Sequence, residues 1–272
     1  MNTYPLPFHC VEKRSEYTAI IVEPRKHPAL LFVLRNFIEN LSSEEWSFVV
    51  LHGNQNKEFI EQILEQLEAE GKTNRPFQPP PLRTRIQTVN IGVDNLNRYE
   101  YSDLFFNPRF YDYYVPTEIF LIFQTDTMII PENRHKINDY LAYDYVGAPW
   151  PPNNEYVGTE NGNGGLSLRR KSKMLELLTY AESPLLVGQI PMADKCYVED
   201  LFFCGTIHRR FFGDQIKMNK ADFEKAQNFS VETYYVSGNC PWGIHSVWKY
   251  PETYAVLKNK YPFIEELRML QI

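Results

Sequence analysis

Three short polar segments in this sequence of 272 residues have residue types that can do chemistry. Residues 123–127 (FQTDT) close an apolar run, residues 162–165 (GNGG, the glycine turn) precede a basic segment, and residues 199–200 (ED) precede an aromatic run. A metal–diphosphate needs an acid and backbone N–H groups, and deprotonating a hydroxyl needs a second acid. The order of the three segments suggests sugar transfer from an activated nucleotide.

Asp126 follows the most hydrophobic predicted strand, at residues 118–123. Open α/β sheets bind ligands at such strand ends, and a carboxylate there suits Mg²⁺ or Mn²⁺ held partly by phosphate oxygens. Gln124, Thr125 and Thr127 flank it as neutral polar groups for a ribose or sugar hydroxyl. The alternative is an ordinary turn aspartate that caps the next segment.

Two more candidates lie towards the C-terminus. Asp200, with Glu199, begins a predicted short helix, whose dipole would keep the acid ionised as a general base requires. Helix capping is the alternative explanation for this acid pair. His245 lies in a segment rich in Gly and Trp, where it could be a metal ligand, a phosphate contact or a packed imidazole.

The candidates for substrate contact are the segment 144–150 (DYVGAPW), the glycine turn and Glu199. Gly147 would let the backbone approach a ligand, and Trp150 could lie against a sugar face; a structural turn with a packed tryptophan is the alternative. Asn163, Gly164 and Gly165 would present backbone N–H groups to substrate oxygens. The cations at 169–171 then belong to a predicted helix, where they either bind phosphate or face solvent.

The elements that must position these residues alternate between strand and helix. Apolar periodicity predicts strands at 17–22, 46–51 and 86–91 and helices at 27–41, 57–69 and 99–114. This order predicts a parallel α/β sheet with a crevice at its strand ends. Arg25, just past the first strand, is then a candidate nucleotide contact. We expect one domain over residues 1–272, with a nucleotide-binding half near 15–130 and an acceptor half near 131–250.

Composition narrows the function classes. The formal net charge of −6 argues against a partner such as nucleic acid, which would require a basic surface. The four cysteines lack the spacing of a zinc site. No apolar run has the length of a signal peptide core or a membrane span, so we expect a cytoplasmic protein.

Together, FQTDT, DYVGAPW, GNGGLSLR and the following ED resemble the GT-A glycosyltransferases. The sequence is most similar to a glycosyltransferase-like domain family of unknown function, from about residue 17 to residue 248. A looser similarity extends to Fringe-like enzymes and β-1,3-galactosyltransferases, in which an Asp motif, a glycine-rich segment and a Glu-Asp pair occur in the same order.

This resemblance implies an α/β GT-A-like fold with a mostly parallel central sheet, flanking helices and an irregular C-terminal half. It implies transfer of a sugar from a nucleoside diphosphate donor, UDP-sugar above all, to a hydroxyl of a glycan or other acceptor, with inversion. Asp126 resembles the last acid of a DxD motif, His245 the C-terminal ligand of Mn²⁺ or Mg²⁺, and Asp200 the base. Gly164 and Gly165 resemble the acceptor-side turn.

Gln124 departs from the family pattern, because it replaces the first acid of DxD. The site therefore has one charge fewer, and we expect weak metal binding that strengthens with nucleotide. The alternative function is a nucleotide- or carbohydrate-binding protein that keeps the fold without catalysis.

Overall fold

The computed structural model describes residues 6–73, 81–151, 162–182, 198–205, 212 and 215–271. The described strands are β1 Tyr17–Val22, β2 Trp46–His52, β3 Ile86–Asn90, β4 Ile119–Phe123, β5 Thr127–Ile129, β6 Tyr145–Gly147, β7 Ser167–Arg170, β8 Ser230–Val231 and β9 Gly243–His245. The described helices are α1 Leu30–Asn40, α2 Lys57–Thr73, α3 Leu82–Arg85, α4 Arg98–Phe105, α5 Pro108–Tyr114, α6 Lys171–Ala181, α7 Glu199–Phe203, α8 Phe223–Phe229, α9 Pro251–Lys260 and α10 Ile264–Met269. The described 3₁₀ segments are Pro131–Tyr140 and Val247–Lys249.

The main sheet has six strands in the order β3-β2-β1-β4-β7-β6. The first four strands run parallel, and β7 is antiparallel to both β4 and β6, which confirms the expected mostly parallel sheet. Ile21 pairs with Val50 on one side and Phe123 on the other, so β1, β2 and β4 end at the same edge. The segments that carry Arg25 and Asp126 therefore leave the sheet side by side.

Helices cover both faces of this sheet because alternate residues of its central strands point to opposite sides. Ala19 and Ile21 belong to the core beneath α1 and α2, whereas Ile20 and Val22 belong to the core beneath α4 to α6. All five residues of β4 are buried, as expected for the central strand.

A second sheet, β5-β9-β8, continues from the end of β4. Thr127 pairs with His245 in antiparallel register, and Val231 pairs with Ile244 in parallel register. Residues 126, 245 and 232 consequently lie next to one another although they are far apart in the sequence.

Two predicted elements differ in the structure. The predicted helix at 99–114 is two helices, because Asn107 caps α5 and Pro108 occupies its first turn. Residues 167–170, predicted as part of a helix, form β7, which hydrogen-bonds to β4 and β6. None of the helices in the described ranges combines the length with the hydrophobicity that crossing a lipid bilayer requires.

Candidate functional site

Asp126 and His245 form an acid–imidazole pair at the end of β4. The register of β5 and β9 brings them together, and His245 Nε2 lies 3.2 Å from Asp126 Oδ1. Ser246, in a left-handed backbone conformation with φ of 53°, donates its N–H to the Asp126 carbonyl and its hydroxyl to Asp126 Oδ2. Lys249 Nζ lies 3.4 Å from the same oxygen. The sequence predicted the first two residues but not Ser246 or Lys249.

Electrostatics make this pair a carboxylate facing an imidazolium. Burial alone would raise the pKa of Asp126, but the charge of His245 and hydrogen bonds from His245 and Ser246 outweigh it and hold the pKa well below its usual range. Burial would lower the pKa of His245, yet Asp126 and then Glu232 raise it above its usual value. The site therefore has an acid that stays ionised at every physiological pH.

The spacing of the pair suits one divalent metal ion. Two ligand atoms at right angles, each about 2.1 Å from an ion, lie about 3 Å apart, close to the observed 3.2 Å. Within the described residues, no group of three or more His, Cys, Asp or Glu side chains is placed to hold a metal. The same 3.2 Å is also the length of the hydrogen bond between imidazole and carboxylate, so Asp126 and His245 could act as two ligands of Mn²⁺ or Mg²⁺ only once the imidazole has given up its shared proton.

The glycine turn lies directly against this pair and needs glycine for space. A Cβ on Gly165 would lie 2.5 Å from His245 Nε2 and 2.8 Å from Gln124 Oε1. A Cβ on Gly164 would lie 2.2 Å from Glu199 Oε1. Two adjacent glycines therefore face the acid–imidazole pair on one side and the Glu-Asp pair on the other.

Asp200 is held at the second side of the glycine turn. Its carboxylate accepts hydrogen bonds from the N–H groups of Leu201, at 2.7 Å, and Gly164, at 3.3 Å. Burial, followed by the charge of Glu199, raises the pKa of Asp200 to about 7. The expected helix dipole does not dominate, because α7 has only five residues. Asp200 can therefore exchange a proton near neutral pH.

The side chain of Glu199 makes its contacts inside the protein rather than at the surface. Its carboxylate is 3.1 Å from Arg169 Nη2 and accepts a hydrogen bond from the Ser102 hydroxyl. Arg169 is fully buried over the rings of Phe105 and Tyr145 and also donates to the Gly164 carbonyl. Both carboxylate oxygens of Glu199 thus have partners inside the protein, beneath the glycine turn, and its contact with substrate stays a prediction.

The neighbouring cations have similar internal partners. Arg170 donates to Asp144 Oδ1 at 2.8 Å, and Lys171 donates to the Val115 carbonyl at 2.8 Å. Both alternatives predicted for residues 169–171, phosphate ligands and a solvated helix face, are wrong for Arg169, because its guanidinium is fully buried in the protein.

DYVGAPW and the glycine turn interlock. The N–H of Asn163 donates to the Ala148 carbonyl, and a Cβ on Gly147 would lie 2.1 Å from the Asn163 carbonyl oxygen. Trp150 is buried, and a Cβ on Gly162 would lie 2.2 Å from its ring. The space beside Gly147 is thus filled by backbone, and the burial of Trp150 favours the packed tryptophan over a sugar platform.

Three further predicted residues lie near Asp126. Arg25 makes a bidentate pair with Glu23, and its raised pKa comes mainly from this hydrogen bond, with a smaller contribution from the charge of Asp126. Gln124 is half-buried, and its backbone N–H and carbonyl both bond the Thr127 hydroxyl. Thr125 is buried and its carbonyl accepts the Gln271 amide.

Sequence reasoning missed Glu232. Its Oε1 lies 3.4 Å from His245 Nδ1, and its Oε2 accepts a 2.8 Å hydrogen bond from the Asn163 amide. One signal was available: Glu232 directly follows β8, and Asp126 lies in the turn after β4, so both acids stand close to strand ends. That signal is weak without knowledge of the pairing between β8 and β9.

The family model described as "Protein of unknown function (DUF5672)" matches residues 83–245, which is more than half of the 272 residues. The chain belongs to this family. The matched range of the DUF5672 family contains Asp126, the glycine turn, Asp200, Glu232 and His245. A comparison with curated proteins gives no significant match.

Solved glycosyltransferase structures share the fold of this DUF5672 protein. Mouse xyloside xylosyltransferase 1 in its apo form has a TM-score of 0.52 and 12% identity over 86% of this chain and 99% of that chain. The active-site mutant Q189E of LgtC has a TM-score of 0.50 and 12% identity over 84% and 86%. The likeness confirms the GT-A fold.

A third structure is matched over a smaller share of its own length. The mannosyltransferase PcManGT from Pyrobaculum calidifontis, in complex with GDP-Man and Mn²⁺, has a TM-score of 0.41 and 14% identity over 63% of this chain and 50% of that chain. The chain thus spans about half the length of that mannosyltransferase.

Proposed function

We propose that this protein transfers a sugar from a nucleoside diphosphate donor, a UDP-sugar, to a hydroxyl of a glycan or other acceptor. One observation carries the proposal: Gly165 contacts His245 while Gly164 contacts Glu199 and donates to Asp200. A metal-binding pair and a proton acceptor on two sides of one dipeptide meet the geometric needs of this reaction. The shared fold with a xylosyltransferase supports it.

On the donor side, Asp126 and His245 would hold Mn²⁺ or Mg²⁺ together with the diphosphate. When bound, the metal offsets negative charge that develops on the leaving diphosphate. Lys249 and Arg25 have side chains that are 60% and 54% exposed, so both can turn their charge towards phosphate. Gln124, beside Gly165, offers a neutral amide to a sugar or ribose hydroxyl.

On the acceptor side, Asp200 takes the proton of the acceptor hydroxyl. The acceptor oxygen forms a bond to C1 of the sugar as the bond between C1 and the diphosphate oxygen breaks, and that electron pair leaves with the diphosphate. A single displacement inverts the configuration at C1. Asn163 and the glycine turn would orient the acceptor. We place these two sides in one domain, with the nucleotide-binding half near residues 15–130 and the acceptor half near 131–250.

A binding protein without catalysis is the second candidate. The observation that favours it is the state of Asp126, whose carboxylate already faces His245, Ser246 and Lys249 while Gln124 supplies no second charge. Such a protein would bind a nucleotide sugar and return it intact. The two candidates therefore differ in whether the donor is consumed.

The replacement Asp200→Asn tests the proposal. Asparagine keeps the size of the side chain but cannot accept the proton, so we expect transfer to fall about 100-fold or more while UDP affinity stays within about threefold. Release of UDP from a panel of UDP-sugars, with glycan acceptors and Mn²⁺, measures transfer; calorimetry measures affinity.

The exposed Asp139 provides the control, since Asp139→Asn makes the same change of charge outside the site. Transfer by Asp200→Asn at the wild-type rate would exclude Asp200 as the base. A wild-type protein that binds a UDP-sugar but never consumes it would favour the binding protein.

A further inference from the structure

Glu232 touches both sides of the site. Its side chain is 12% exposed and both of its oxygens face protein groups. Oε1 lies 3.4 Å from His245 Nδ1, and Oε2 accepts the amide of Asn163 at 2.8 Å. The side chain is therefore engaged by two residues that belong to different sides of the proposed reaction.

The backbone fixes this position. Parallel pairing of Ser230 with Gly243 and of Val231 with Ile244 brings the next residue, Glu232, alongside His245. His245 is held in turn by the antiparallel pairing with Thr127. The three-stranded sheet thus places Glu232 behind the imidazole, on the ring nitrogen that Asp126 does not face.

Asn163 carries the contact onward to the glycine turn. Its Oδ1 accepts the N–H of Gly165 at 2.9 Å, and Gly165 packs against the His245 ring. These contacts therefore form a closed circuit through four residues: His245, Glu232, Asn163 and Gly165. The adjacent Gly164 donates its N–H to Asp200, which joins this circuit to the base.

We propose that Glu232 is a positioning residue for sugar transfer, holding the His245 imidazole towards the donor metal and, through Asn163, holding the glycine turn beside Asp200. The inference rests on the proposed function. A carboxylate behind a metal-binding histidine orients the ring, and losing it costs about 10- to 100-fold in metal affinity. Here the same carboxylate also orders the acceptor side.

The hydrogen-bond chemistry of this circuit allows a sharp test. A carboxylate accepts at both oxygens, whereas a glutamine accepts at one and donates through the other. The 3.4 Å contact with His245 Nδ1 is an ion pair rather than a hydrogen bond. In Glu232→Gln, either this ion pair or the acceptor of the Asn163 amide is lost. If the Asn163 amide rotates to compensate, its NH₂ group faces the N–H of Gly165, and two donors oppose each other.

A second replacement repairs the mismatch. Adding Asn163→Asp to Glu232→Gln moves the carboxylate to position 163, where it can accept from both Gly165 and the introduced glutamine amide. The glutamine oxygen is then free to accept from His245 Nδ1. The net charge of the pair is unchanged by this exchange.

The first readout needs no substrate. Gly164 and Gly165 are the one Gly-Gly pair among the 13 glycines, so glycine labelled with ¹³C at the carbonyl and with ¹⁵N gives a single carbonyl-to-amide correlation, from Gly165. We expect Glu232→Gln to shift this amide proton, the double variant to return it towards the wild-type position, and the exposed Glu224→Gln to leave it unchanged. An unshifted resonance in Glu232→Gln would overturn the inference.

The second readout is UDP binding in the presence of Mn²⁺. We expect Glu232→Gln to lose about tenfold or more in affinity and the double variant to recover part of it, with Glu224→Gln equal to wild type. Affinity within twofold of wild type in Glu232→Gln would overturn the inference while the proposed function stands. A wild-type protein that binds no nucleotide would overturn the proposed function and the donor half of the inference with it.

Discussion

Asp126 and Asp200 are two acids of one site whose surroundings push their pKa values in opposite directions. The charges and hydrogen bonds around Asp126 overcome its burial and lower its pKa, whereas burial and the neighbouring Glu199 raise that of Asp200. Pairs of acids separated in this way commonly divide the chemistry between them. Asp126 suits a role that needs a permanent negative charge, and Asp200 suits proton transfer.

The raised pKa of Asp200 predicts the pH dependence of transfer. Only the ionised carboxylate accepts a proton, so turnover should rise with pH through a midpoint near 7 and fall about tenfold per unit below it. Initial rates at saturating donor between pH 5.5 and 8.5 would measure the profile. The residual activity of Asp200→Asn should lack this midpoint, and the same midpoint in that variant would assign the titration to another group.

Replacing Asp126 should remove metal-dependent binding. Asp126→Asn keeps an oxygen for the Ser246 hydroxyl but loses the charge that faces His245, so we expect UDP binding with Mn²⁺ to disappear and Tm to fall modestly. Calorimetry below the Tm of the variant checks the first outcome and thermal melting the second. Unchanged binding would place the metal elsewhere, with Asp139→Asn as the control.

Among the elements of the site, the glycine turn lies between the donor side, with Asp126 and His245, and the acceptor side, with Asp200. Gly165→Ala would push a methyl group into the His245 ring and the Gln124 amide, so we expect a loss of about 1–3 kcal/mol in the free energy of unfolding and loss of UDP affinity. Gly71→Ala is the matched control, because nothing lies within 4 Å of its Cβ in α2.

The control variant Gly71→Ala should be slightly more stable than the wild type rather than less stable. Alanine in a helix is more stable than glycine by roughly 0.5–1 kcal/mol, so Gly71→Ala should unfold at slightly higher denaturant concentration and bind UDP normally. Equal affinity in Gly165→Ala and wild type would show that the contact between turn and imidazole does not serve the donor side.

Local patterns predicted the strands and helices of the first half of the chain well. The spacing of apolar residues that indicates a strand or a helix lies entirely within that one element. Residues 167–170 were assigned to a helix since cations follow a glycine turn and precede apolar residues at helical spacing. Their strand comes from pairing with β4 and β6, whose closest register partners lie 45 residues earlier (Ile122 with Ser167) and 20 residues earlier (Gly147 with Ser167). The information that makes these residues a strand is therefore non-local.

The same limit separates the site residues that the sequence revealed from those it did not. Asp126 and the glycine turn stand where single elements end, so their positions could be predicted. Glu232 acquires its role only when β8 lies beside β9, and Ser246 and Lys249 only when β9 lies beside β5. The sequence shows that Trp150 is an aromatic residue near glycines. It does not show that the ring is buried against Gly162.

For the whole molecule, metal and nucleotide binding should depend on each other. With Asp126 and His245 as the proposed protein ligands, Mn²⁺ would bind weakly until phosphate oxygens complete its coordination, so Mn²⁺ and nucleotide should each strengthen the binding of the other. We expect Mn²⁺ and UDP together to raise Tm by more than the sum of their separate effects. Mn²⁺ that stays on the protein without nucleotide through dialysis against a mild chelator would contradict this expectation.

The second sheet also determines when the site can exist. In the described part of the chain, β5 has β9 as its strand neighbour, and β9 lies 114 residues beyond the end of β5, from Ile129 to Gly243. During synthesis on the ribosome, Asp126 therefore emerges long before its imidazole partner, and a chain that stops earlier has only half of the metal pair. Nucleotide binding through this pair therefore requires a chain that has been synthesised at least through His245.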